Sequence, residues 1–201
     1  MGNITKRFLL FFSLAISLVS VPTFSNEGSV EDSFSDAELA QILAPIALYP
    51  DSLLTHILIA STYPLEVIEA DRWAKKNSDI APESIANKVE DLDWEPSVKA
   101  LIPFPLILKR LSEDLSWTRQ LGDAFLQDET QVLQSIQVLR RQAEEAGSLA
   151  KMDNMTVSKE DNNIIIQPVQ QEVVYVPYYD TRVVYGAWHW SSYPPVHWGH
   201  H

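Results

Sequence analysis

The sequence predicts a mainly α-helical domain: irregular, with short proline-started helices and one long helix, followed by a small C-terminal β segment. Three observations carry this. Prolines recur immediately before apolar segments of helical period, where their fixed φ and missing N–H suit a helix start. A Ser-x-x-Glu capping box precedes the first such segment. After Gly147 the composition shifts to valine, isoleucine and tyrosine, which is strand material.

Of the 201 residues, the first 25 read as a leader. Lys6 and Arg7 form a basic start, residues 8–21 an apolar stretch, and Thr23-Phe24-Ser25 a small-x-small cleavage site. The apolar run is about 14 residues, against the about 20 that a spanning helix needs. The expected product is therefore exported, to the periplasm or the periphery of the cell envelope, with no transmembrane span after cleavage. Residues 26–34 then read as a disordered acidic spacer.

Ser35-Asp36-Ala37-Glu38 starts the helical domain, assigned to residues 35–150. Leu39, Ile42, Leu43 and Ile46 follow at i, i+3, i+4 and i+7, one apolar face. Pro50 is expected to stop that helix and Asp51 to cap the next, in which Leu53, Leu54, Ile57, Leu58 and Ala60 widen the apolar stripe. Pro64 opens a third helix, with Leu65, Ile68 and Trp73 expected inward and Glu66, Glu69, Asp71, Lys75 and Lys76 toward solvent. Pro82, Pro96 and Pro105 repeat the pattern. Residues 117–146 read as the longest helix, capped by Ser116 and ended by Gly147. Tyr49, Pro50, Asp51, Tyr63, Pro64, Trp73 and Trp94 are the expected structural hub.

The β-rich extension is assigned to residues 155–187. Residues 156–158 and 164–167 flank a polar turn and predict a hairpin. Val173-Val174-Tyr175 and Val183-Val184-Tyr185 repeat a strand-like triplet ten residues apart. Residues 188–201 form an aromatic, histidine-rich tail of low complexity.

The formal net charge is −12, and removing Lys6 and Arg7 leaves 13 basic side chains against 27 acidic ones, a net −14. Nucleic-acid recognition needs a basic face, so it is excluded as an expectation. The absence of cysteine excludes disulfides, zinc-thiolate centres and a cysteine nucleophile.

Four motifs carry a family resemblance. The run LAPIALYPDSLLTHILIASTYPLEVIEADRW (residues 43–73), then WEPSVKALIPFP (94–105), DLSWTRQLGDAFL (114–126) and VVYVPYYDTRVVYG (173–186) resemble, in order, the bacterial domain of unknown function 3300. The resemblance implies an exported protein of Gram-negative bacteria and supplies no catalytic residue.

Several side chains suggest chemistry. His189, His197, His200 and His201 are four imidazoles within thirteen residues, a tract that could wrap a zinc or copper ion. The alternative is that they stack with the neighbouring tryptophans. Glu66, Glu69, Asp71 and Asp114 could supply the paired carboxylates of a cell-wall (peptidoglycan) hydrolase, with Trp73 or Trp117 as sugar platforms. Their helical spacing also suits a solvated face. His56 sits a turn from Ser52 and near Ser61, without the Gly-x-Ser-x-Gly of a nucleophile elbow; a packing histidine satisfied by a backbone carbonyl is the expectation. Arg140-Arg141 reads as a surface pair near a helix C-terminus.

The remaining reading is a non-enzymatic interaction module, its partner an envelope protein or a second copy. Tyr175, Tyr178, Tyr185 and Trp188 would form the contact surface, recruiting a strand by edge pairing. Alternatively, the tail wraps back onto the helical domain and covers Tyr49-Pro50 or Trp94. The sequence specifies no small-molecule ligand.

Overall fold

The structure, a computed structural model, describes residues 33–170 and 176–199. The leader lies outside the described residues, as does most of the spacer. Among the described residues are eight α-helices and one antiparallel hairpin. The helices are α1 Asp36–Leu43, α2 Asp51–Ser61, α3 Pro64–Lys76, α4 Pro82–Val89, α5 Pro96–Ala100, α6 Pro105–Glu113, α7 Leu115–Gln127 and α8 Glu129–Glu145. A 3-10 turn, Leu149–Lys151, leads into β1 Met155–Glu160 and β2 Asn163–Pro168.

The capping box is present: Glu38 N–H donates to Ser35 Oγ (3.3 Å) and Ser35 N–H to Glu38 Oε2 (2.9 Å). These bonds, the Ser35 side chain first, hold the Glu38 carboxyl below its ordinary pKa. Prolines occupy the first turn of α3, α4, α5 and α6. Gly147, at φ +70°, ends α8 with paired bonds from Gly147 N–H to Glu144 O (2.8 Å) and Ser148 N–H to Ala143 O (2.9 Å).

Five local expectations are corrected. α1 ends at Leu43, well before Pro50, and residues 44–49 form a buried turn. Pro50, not Asp51, is the N-cap of α2, which leaves the Asp51 carboxylate available to Arg140. α3 is rotated about its axis: Val67, Ala70 and Asp71 are buried, while Leu65 is 70% exposed. Asp71 tolerates burial because Lys75 Nζ (2.7 Å) and Ser112 Oγ (2.8 Å) donate to it. Tyr63 is 42% exposed and sits at the rim rather than in the hub.

The long helix is two helices, broken at Asp128. Asp114, not Ser116, caps α7 by accepting from Trp117 N–H (3.0 Å), and Asp128 caps α8 by accepting from Gln131 N–H (2.9 Å). The hairpin pairs as expected, Thr156 opposite Gln167 and Ser158 opposite Ile165. The second triplet is not a strand, since residues 181–185 form turns. Its first copy lies outside the described residues.

The core joins both parts of the chain. Leu43, Ile46, Leu53, Ile57, Val98, Leu108, Leu121 and Leu139 are buried together with Ile164 and Ile166 of β2 and Tyr185 of the tail. α1 packs on α8, α2 on α5 and α7, and α3 on α6. At the α2–α7 crossing, Gly122 meets the C-terminal end of α2 closely; a Cβ there would lie 2.5 Å from Ser61 O.

Candidate functional site

The buried turn at residues 44–49 lacks a helix ladder or a sheet to satisfy its carbonyls, so side chains must do so. Arg140 on α8 supplies three donors. Its Nε reaches Ala47 O (2.8 Å), Nη2 reaches Tyr49 O (3.1 Å), and Nη1 reaches Ile164 O (2.7 Å). Nη1 also lies 2.6 Å from Asp51 Oδ1. At 1% exposure, Arg140 is thus an internal clamp between the turn, α2 and the hairpin, and its expected surface position is overturned. Trp117 Nε1 donates to Ile42 O (2.9 Å) from α7.

The tail satisfies the rest. Tyr179 Oη donates to Ala44 O (3.0 Å) and accepts from Leu48 N–H (3.3 Å). Tyr185 Oη donates to Ala44 O as well (2.5 Å). Tyr179 packs edge-on against Tyr49 at 6.0 Å, and Trp198 packs on Trp117 at 5.0 Å and on Tyr49 at 6.5 Å. Val196 N–H donates to Gln41 O (3.2 Å), and Gln41 Nε2 returns a bond to Pro194 O (2.7 Å). Arg110 Nη2 on α6 donates to Gly199 O. Burial pushes the hydroxyls of Tyr49, Tyr179 and Tyr185 well above the ordinary tyrosine pKa. Residues 176–199 therefore form a strap over α1 and the 44–49 turn, as in the wrapped alternative that covers Tyr49.

This strap redistributes the residues expected to act. Tyr185 is 2% exposed and belongs to the core, not to a contact surface. Tyr178 is 55% exposed, and Trp188 is half-buried with its Nε1 bound to Tyr193 O (2.8 Å). Tyr175 lies outside the described residues. His189 is exposed and meets Trp190 at a tilt, ring centres 5.8 Å apart, while His197 is half-buried beside Asp180 (3.4 Å) and Thr181 Oγ1 (3.4 Å). His200 and His201 lie outside the described residues. Among the described residues, no three His, Cys, Asp or Glu side chains gather as a metal-binding group.

The carboxylates each have a structural partner. Glu66 accepts from Glu95 N–H (2.6 Å) and Glu69 from Trp94 Nε1 (3.0 Å), so both secure the entry to α5. Trp73 and Trp94 meet edge-on at 6.5 Å beside them. The neighbour of His56 is neither Ser52 nor Ser61 but Ser97, with Nδ1 and Oγ 3.4 Å apart. Ser61 Oγ instead donates to Leu58 O (2.6 Å).

The model of a family described as a protein of unknown function, DUF3300, matches residues 35–201. The chain belongs to this family. It is 34% identical over 200 residues to the uncharacterized protein YacH of Escherichia coli (strain K12), an alignment covering 84% of this chain and 32% of YacH. The chain thus spans about a third of the length of that relative. No solved structure matches it.

The family segment at residues 43–73 contains the strapped turn, and the segment at 173–186 contains the tyrosines that cover it. Between the strap and α6 lies a cleft of about 230 Å³, with Tyr49, Ile107, Val176, Pro177 and Trp198 among its lining residues. Leu106, 72% exposed, and Tyr178 also line it, with Lys109 and Arg110. Sequence reasoning missed Leu106 and Lys109. The proline-opened helix start at Pro105 was legible, but which neighbour that helix would leave uncovered depends on the strap.

Proposed function

We propose that this chain is a non-enzymatic binding module of the cell envelope, exported by its leader, and that the α6–strap cleft receives a peptide segment of a partner protein. The observation that carries the reading is the cleft itself. Two large apolar side chains, Leu106 at 72% exposure and Tyr178 at 55%, line an apolar recess whose basic members are Lys109 and Arg110. Tyrosine and arginine are enriched at the centres of contacts, and adjoining exposed apolar side chains mark such surfaces. The basic side chains suit a segment in which an apolar residue is followed by acidic ones. Against hydrolysis, Glu66, Glu69, Asp71 and Asp114 are each engaged in holding a helix end or a neighbouring side chain.

The test places a photo-crosslinking residue at Leu106, at Tyr178, or at Leu126, which is 72% exposed on α7. In envelope preparations, positions 106 and 178 should trap the same partner, position 126 should not, and Lys109→Glu should abolish trapping. Equal yields at all three positions, or insensitivity to the charge reversal, would overturn the reading. The same preparation dates the leader: the mature chain should begin at Asn26.

A further inference from the structure

A second cleft, of about 580 Å³, lies on the other side of the strap, between it and the turn that leads into the hairpin. Its lining includes Met152 and Met155. The chain has three methionines, and the third is Met1 in the leader, so every thioether beyond the leader lines this one cleft. The arrangement is fixed by the backbone. Met152 follows the 3-10 turn anchored by buried Leu149, residues 153–154 form a turn with Asn154 at φ +61°, and Met155 begins β1. Such a turn brings its first and fourth Cα atoms to within about 7 Å. Asn154 O accepts from Val169 N–H (3.0 Å), which ties the turn to the end of β2. Both methionines are half-buried: accessible from the cleft, yet packed against the core.

Thioether sulfur is a soft donor that selects Cu(I) over zinc or magnesium, and with no cysteine in the chain nothing softer competes. Charged groups complete the lining. Lys151, Asp153 and Asp180 face the same cleft. Asp180 is committed to Arg182, whose Nη2 lies 2.6 Å from its Oδ2, and those bonds hold its carboxyl below the ordinary range. Asp153, between the two methionines, carries the carboxylate available to offset a bound positive charge.

We propose that the Met152–Met155 turn is a binding site for a soft monovalent cation, Cu(I), held by the two Sδ atoms and the Asp153 carboxylate. These three ligands belong neither to the histidine tract nor to the lining of the α6–strap cleft. Binding involves no electron transfer, since the ion enters and leaves as Cu(I).

Silver(I), a redox-inert ion of the same softness, is the probe. The chain is isotope-labelled at its methionine methyl groups, and the signals of Met152 and Met155 are assigned from Met152→Leu and Met155→Leu. The Met152 and Met155 methyl signals should move together on adding silver(I), reach saturation at one ion per chain, and stay in place with zinc(II). Each leucine substitution nearly conserves volume and should weaken binding by about tenfold or more. Asp153→Asn should weaken it less. The proposal is overturned if the methyl signals stay in place while the rings of His189 and His197 respond, or if the double leucine variant binds silver(I) as the parent does. The methyl response of the parent chain decides the matter even where a variant folds poorly.

Discussion

Arg140 Nη1 lies 2.6 Å from Asp51 Oδ1, and the same guanidinium holds the carbonyls of Ala47, Tyr49 and Ile164. The ion pair is asymmetric, because the Arg140 side chain is 2% exposed and that of Asp51 43%. Removing the arginine strands three buried acceptors, whereas removing the aspartate leaves the guanidinium its three carbonyls. Arg140→Met should therefore cost about 3–5 kcal/mol in chemical denaturation, and Asp51→Asn about 1 kcal/mol or less. Equal costs would mean that the ion pair, not the carbonyl clamp, is the important element.

Gly122 is required by a close helix approach. An added Cβ would lie 2.5 Å from Ser61 O and 2.8 Å from Ser61 C, backbone atoms that cannot rotate away. Gly122→Ala should lower stability by about 1–3 kcal/mol, although alanine is the better helix former. A thermal melt at or above that of the parent would contradict the α2–α7 crossing.

The strap makes stability sensitive to alkali. Burial raises the pKa of Tyr49, Tyr179 and Tyr185 in the folded chain. In the unfolded chain they titrate near 10. Their contribution is thus fully present below pH about 10 and is lost as pH rises through the window up to the folded values, at up to about 1.4 kcal/mol per pH unit for each tyrosine. Denaturation midpoints should fall steeply above pH about 10. Tyr179→Phe should make that fall shallower while costing about 1 kcal/mol at neutral pH through its lost bond to Ala44 O. A midpoint flat across this range would place the rings in solvent.

Asp128 separates α7 from α8 by capping the second. Asp128→Ala should cost about 1 kcal/mol, in the range for lost N-caps. Asp128→Ser, which keeps an acceptor, should recover most of it. Parent-like stability of the alanine variant would restore a continuous helix.

The proline-started helices and the hairpin were legible because their signals are local: a capping box, a proline at the first turn, a run of three isoleucines beside a polar turn. The break at Asp128 was legible in principle, since Asp128 stands three residues before Gln131 in the spacing of a capping pair. The continuous apolar period on either side hid it. Arg140 was not legible. Its neighbour Arg141 is identical, and what buries one and exposes the other is a set of carbonyls about 90 residues earlier, left unpaired by a turn. The Val-Val-Tyr triplet ending at Tyr185 failed for a related reason. Its strand propensity yields to a tertiary demand, the bond from Tyr185 to Ala44 O, which requires a turn at that point. The candidate cleft inherits this difficulty, because its walls come from α6 and the strap.

The strap holds the tail over the 44–49 turn, and amide hydrogen exchange of residues 176–199 reads that directly. The Val196 amide, bonded to Gln41 O across the strap, and the Val183 and Val184 amides, both bonded to Asp180 O, should exchange far more slowly than in an unstructured chain. Protection at Val196 should collapse in Trp198→Ala, which removes the ring packed on Trp117 and Tyr49. Exchange of these amides at the unstructured rate in the isolated protein would mean that there is no strap and that the tail is a free arm.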